Sequence, residues 1–245
     1  MRILLLLSLC LLFMTACSGS IVPPPRSAEI LMSEGDTFLN DNRYEDAIAS
    51  WEKVRERFAT PEMTALAELK IADANFQTER YIEAAVAYEA YLKAHPDDPK
   101  NQDVLYKLGI SYHKEILAAE RDQTSTQNAH SVFKTFLTRY PTDQRKQDVE
   151  KFMAEEEESL AGHELHIAKY YQKKGADASA ISRLEPLLTA YPNFSQKDEL
   201  YFILGSAYLH NSNREKAIES FNHLYNDFPH SHFKAKAQKL LEKQF

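Results

Sequence analysis

Apolar and small residues recur along this chain with a spacing that fixes its secondary structure. Four times an alanine is followed twelve residues later by a proline: Ala84 to Pro96, Ala129 to Pro141, Ala180 to Pro192 and Ala217 to Pro229. Four residues after each alanine stands an aromatic residue or leucine, three further on another apolar residue, and in most units an aromatic residue or histidine directly precedes the proline. The third unit reads Ala129, Phe133, Phe136, Tyr140-Pro141, and the fifth Ala217, Phe221, Leu224, Phe228-Pro229. Steps of four and three trace one face of an α-helix, and proline stops it. A second helical pattern lies upstream, with a small residue twelve positions before the alanine: Gly35 before Ala47, Ala72 before Ala84, Ala168 before Ala180, Gly205 before Ala217. The prediction is an all-α chain of about five antiparallel helix pairs.

This pattern resembles the tetratricopeptide repeat. In the fifth unit its W-x2-L-G-x2-Y…A-x3-F…P signature stands as Tyr201-x2-Leu204-Gly205-x2-Tyr208…Ala217-x3-Phe221…Pro229. Small residues let helices A and B approach, aromatic residues fill the space beside them, and each unit buries its apolar face on the next. Two irregularities set the architecture. In the third unit, Leu105-x2-Leu108-Gly109-x2-Tyr112 is a good helix A, but an insertion around Glu120 to Asn128 lengthens the path to Ala129. The stretch Asp143 to Lys174 has no proline and only Gly162, which predicts one long linking helix. The expected organisation is a signal peptide over 1–16, a lipidated proline-rich spacer over 17–27, an N-terminal half of three repeats over 28–141, and a C-terminal half of two repeats over 142–245.

The first sixteen residues differ from the rest: Arg2, then an apolar run from Ile3 to Met14. That is a secretory signal, shorter than the roughly 20 residues a spanning helix needs. Met14-Thr15-Ala16-Cys17-Ser18 resembles the bacterial lipobox, although leucine is usual where Met14 stands. Cys17 is therefore the expected lipidation site, the membrane being reached by the anchor alone. An ordinary signal followed by a chance cysteine is the alternative. Ser18, where aspartate would favour retention at the inner membrane, points by resemblance to the outer membrane, periplasmic side. Pro23-Pro24-Pro25 forms a stiff spacer.

Composition removes other classes. With 44% hydrophobic and 27% charged residues the chain can bury a core, and six scattered glycines form none of the phosphate-cradling loops of nucleotide enzymes. Twenty-nine basic against 36 acidic residues, with no basic run, argue against nucleic acid. His163-Glu164-Leu165-His166 places its histidines three apart, where the zinc-binding helix motif needs four. Glu155 to Glu158 reads as a solvated surface. Glu158-Ser159 lacks the further motif of helical-repeat cell-wall hydrolases, so the chain is expected to be no enzyme and to need no cofactor or metal.

Binding is the better expectation. In this repeat class helix A lines the concave face, and positions 2, 5, 9 and 12 point inward. In the first three units these include Met32, Leu39, Leu66, Leu69, Phe76, Tyr106 and Ile110, which predict an apolar groove for an extended, aromatic-bearing peptide. The alternative is that some of them pack between repeats.

With lipobox, spacer, repeats and insertion placed, the chain resembles the BamD lipoprotein family of the β-barrel assembly (Bam) machinery. The resemblance rests on Arg121-Asp122-Gln123-Thr124, on Leu160 to Tyr171 with Glu164, and on Ile181-Ser182-Arg183-Leu184-Glu185. It implies a non-catalytic scaffold that binds BamA, at the POTRA domain nearest the barrel, and receives unfolded outer-membrane proteins, with other Bam lipoproteins as further partners. Carried over, Arg183 and Glu185 would contact BamA; for the arginine the alternative is an intramolecular helix-surface pair. Another periplasmic repeat lipoprotein, such as a secretin pilotin or cell-wall scaffold, would share the anchor and repeats but not these segments.

Overall fold

The computed structural model describes residues 26–56 and 60–244, so the expected signal peptide, Cys17 and the triple proline lie outside the described residues. The described chain is an all-α solenoid. Its helices are α1 (Ala28–Asn40), α2 (Tyr44–Glu56), α3 (Pro61–Gln77), α4 (Tyr81–Ala94), α5 (Asn101–Lys114) and α6 (Thr124–Arg139). After them come α7 (Lys146–Lys173), α8 (Asp177–Leu184), α9 (Leu187–Ala190), α10 (Lys197–His210), α11 (Arg214–Asp227) and α12 (Phe233–Gln244). Capping marks the first starts: Ser27 and Thr60 accept from the amides of Ile30 and Met63, and Pro61 occupies the first turn of α3.

The repeat pattern is realised in one register. Ala47, Ala84, Ala129, Ala180 and Ala217 are fully buried, and four residues after them Trp51, Tyr88, Phe133, Leu184 and Phe221 are buried too. Opposite each stands the small residue of helix A. At Gly35, Gly109 and Gly205 an added Cβ would fall inside the ring of Trp51, Phe133 and Phe221 respectively. Where the small residue is Ala72 or Ala168, the opposing side chain is Tyr88 or Leu184 instead.

The tight turn between helices A and B repeats as well. Five residues before the alanine, Asn42, Glu79, Gly175 and Ser212 all have φ between 58° and 73°, the left-handed region that lets three residues reverse the chain. Gly175 takes this conformation without cost, while the glutamate and serine are held there by their surroundings. The third unit replaces the turn by the nine residues 115–123 and starts α6 earlier relative to Ala129, which together make up the insertion. This connection is fastened to α7: the Gln123 amide donates to the carbonyls of Ala118 (3.1 Å) and Arg121 (3.2 Å), its oxygen accepts from Thr126 and Ser159, and His163 Nδ1 lies 2.6 Å from the Ala119 carbonyl.

The long helix expected from residue 143 onward is α7, 28 residues long. Its first half packs with Phe152 and Met153 against the third unit, and its second half contributes Ala161, Leu165 and Ala168 to the C-terminal core. Three adjoining apolar clusters fill the first three units, and one continuous cluster runs from Ala161 to Leu241. The last helix, α12, covers α10 with Phe233 and Ala237, so that Ile203 to Leu209 are buried throughout. Helix B of the fourth unit is interrupted. Pro186 has no amide to donate and its ring clashes with the preceding turn, which separates α8 from α9.

Candidate interaction surfaces

The residues expected to line the concave groove are used largely for packing between repeats. Met32 and Ile110 are 7% and 9% exposed and belong to core clusters. Leu39, Leu69, Phe76 and Tyr106 are half-buried, each against one or more of the clusters of the first three units. Leu66 is the exception, at 37% exposure. The open apolar groove read from the sequence is therefore much narrower here, because the apolar atoms of successive A helices are spent on one another.

Between those apolar positions runs a set of ion pairs that sequence reasoning missed. Lys70 on α3 reaches Asp36 on α1 at 2.8 Å, and Lys107 on α5 reaches Asp73 on α3 at 3.0 Å. Lys107 also meets Asp103 at 2.9 Å, and Arg145 joins Asp103 at 2.8 Å. Both cross-repeat pairs join residues 34 apart and are offset from each other by 37, the Ala47-to-Ala84 spacing, so a scan for opposite charges recurring at that period would have found them. Tyr88 donates to Asp73 at 2.6 Å, and its hydroxyl pKa is raised, first by burial and then by that carboxylate. Asp103 is raised by burial, but the hydrogen bonds and charges of Lys107 and Arg145 outweigh this and leave it lowered. Arg145 lies over the ring of Tyr106 at 4.4 Å and grips Asp143 with two donors, which holds that carboxyl far below the usual carboxylate range.

The run Glu155 to Glu158 is not the uniform solvated surface expected. Glu156 is fully buried, with Oε1 3.2 Å from His113 Nδ1 on α5 and Oε2 3.7 Å from His130 Nδ1 on α6. His113 also packs on Phe152 at 4.6 Å and approaches Glu155 at 3.6 Å. The cluster joins the third unit to the linking helix.

Arg183 and Glu185 face different neighbours. Arg183 is exposed on α8 and donates from Nη1 to Glu164 on α7 at 3.1 Å, the pair within the helix surface that stood as the alternative. Such an exposed pair is worth less than about 1 kcal/mol, so its carboxylate is readily exchanged for another. Glu185, just past the end of α8, accepts from Lys216 Nζ at 2.7 Å and from the Tyr208 hydroxyl, and these bonds lower its pKa in that order. Burial, then the carboxylate, pushes Tyr208 up to about 12.

With this geometry in place, comparison with known proteins gives a consistent answer. Residues 25–213 match the outer membrane lipoprotein family YfiO, and residues 199–231 match the tetratricopeptide repeat. The chain is 29% identical over 204 residues to a protein of Pasteurella multocida named outer membrane protein assembly factor BamD, covering 79% of this chain and 78% of that protein. A protein of the same name from Neisseria gonorrhoeae is 26% identical over 239 residues, covering 94% and 90%. Among solved structures the chain is similar to YrrB, a TPR protein, at 19% identity and a TM-score of 0.39, over 87% of this chain and 92% of that one. The family match spans well over half of the chain, and the chain therefore belongs to the outer membrane lipoprotein family whose relatives are named outer membrane protein assembly factor BamD.

Proposed function

We propose that this chain is the non-catalytic, lipid-anchored scaffold of a β-barrel assembly complex at the periplasmic face of the outer membrane. Cys17 carries the anchor and the three N-terminal repeats, 28–141, receive unfolded outer-membrane proteins. The C-terminal half, 142–245, binds BamA at its POTRA domain nearest the barrel. The observation that carries the reading is family membership over residues 25–213, in a chain whose Arg183 is exposed and paired with the half-buried carboxylate of Glu164. A guanidinium binds carboxylates bidentately through its rigid fork, so a partner carboxylate replaces Glu164 with little loss to this fold. In the N-terminal half, the receiving surface is the strip around Leu66, Leu69 and Phe76, flanked by the Asp36–Lys70 and Asp73–Lys107 pairs. An extended chain would find apolar contact and alternating charge there.

The test is co-purification from mildly solubilised outer membranes. Arg183→Glu places two carboxylates, its own and Glu164, at one spot, and recovery of BamA with the tagged protein is expected to fall by roughly tenfold while helicity is unchanged. Recovery equal to wild type would remove Arg183 from the contact.

A further inference from the structure

The groove between consecutive B helices recurs in the same register along the solenoid, but it is not equally filled. Between the second and third units Leu92, Leu105, Leu108 and Val132 pack together there. Between the first and second units the matching positions, Arg55, Glu68, Ile71, Ala87 and Ala90, leave a cavity of about 60 Å³. Between the fourth and fifth units the same positions are Leu188, Tyr201, Leu204, Ser220 and His223, and the cavity is about 280 Å³. The groove opens where Pro186 interrupts helix B of the fourth unit. Its wall is built: Tyr201 stacks on His223 at 4.9 Å and 13°, and Glu185 ties α8 to Lys216 and Tyr208. Leu204 is buried at the floor.

We propose that this cleft is a docking pocket for one large apolar or aromatic side chain of a protein partner, from a segment that also carries a lysine or arginine. The size fits a single anchor of that kind. The charge follows from the rim, where Glu219 stands exposed on α11 while Lys216 is already engaged by Glu185; Glu215 and Ile218, itself 45% exposed, continue the acidic surface on the same helix beside the cleft. A basic residue next to the anchor meets Glu219, and an acidic one is repelled. The inference rests on the proposed docking of the C-terminal half on BamA, and it assigns that contact a second point beyond Arg183, on the side of α8 that faces α11.

The test measures binding of the full chain to the purified periplasmic domains of BamA from the same bacterium. Ser220→Leu fills the cleft at the position of Val132 in the third unit, and Glu219→Arg reverses the rim charge on an exposed face. Each is expected to weaken binding by about tenfold, with circular dichroism and the unfolding midpoint unchanged. Wild-type affinity in both variants, alongside weakened binding by Arg183→Glu, would overturn the cleft and leave the docking reading standing. Absence of binding by the wild-type chain would instead overturn the docking reading, and the cleft with it. Should Ser220→Leu disturb folding, Glu219→Arg alone decides.

Discussion

The first three repeats and the last two obey the same register, and ion pairs such as Asp36–Lys70 and Lys169–Glu199 link successive A helices in both, but their apolar cores are built differently. In the N-terminal units the A helices are cross-linked by Asp36–Lys70 and Asp73–Lys107, and Asp103 reaches Arg145 at the start of α7, over three adjoining small cores. In the C-terminal units α10 is enclosed by α7, α8, α11 and α12 in one apolar cluster, and its neighbouring groove stands open. The ion pairs give orientation more than stability, because each exposed pair contributes about 0.2–1 kcal/mol. The half with three small cores is the one that presents a concave strip, and the half with the continuous core is the one that presents the larger cleft and an exposed arginine.

The strongest way to break this comparison is to truncate matching core residues. Phe133→Ala and Phe221→Ala remove equivalent buried rings and are each expected to cost about 3–5 kcal/mol. In a solenoid the damage stays near its source. Hydrogen exchange should therefore rise over α5–α7 in the first variant and over α10–α12 in the second; a uniform rise across the chain in both would show a single cooperative unit instead. Next is the junction. His113→Leu removes the hydrogen-bond partner of the fully buried Glu156 and is expected to cost about 3 kcal/mol, measured by denaturant unfolding. A loss within experimental error would show that His130 alone supports the carboxylate.

The smallest effect is expected from Asp143→Asn, about 1.5 kcal/mol at neutral pH through the weakened bonds to Arg145. Its sign with pH is fixed. Asp143 lies below its ordinary value of 3.8 in the folded chain, so its contribution is fully present above that value and is lost as pH falls. The variant should match wild type more closely in acid than at pH 7. An equal gap at both would assign the loss to packing.

Some of what sequence reasoning overlooked was legible. Asp73 and Lys107 stand 37 residues after Asp36 and Lys70, the spacing from Ala47 to Ala84, so the period is carried by charged as well as by apolar positions. That Met32 and Ile110 pack between repeats, the alternative reading of the groove, is hidden in the sequence. Positions 5, 9 and 12 of helix A face inward whether the inside is a ligand or the next repeat, and the pattern within one helix does not distinguish these. Only the inter-repeat distance does, and for Met32 and Ile110 it leaves little surface.

The sequence by itself determined the helix pairs, their order, the buried alanine of every unit with the aromatic residue or leucine four positions on, and the insertion and long helix that interrupt the repeat. All of these follow from spacing along one helix, where 3.6 residues per turn fix which side chains share a face. What stands across from that face was decided by tertiary structure. Glu156 sits among four consecutive glutamates that look alike in sequence, and is buried because α7 turns that one position toward His113, 43 residues earlier. Pro186 is visible as a helix breaker, yet the opening beside it exists only because α11 lies alongside with Ser220 where another unit has Val132. Contacts of this kind depend on the distance and rotation between helices, which no single helix encodes.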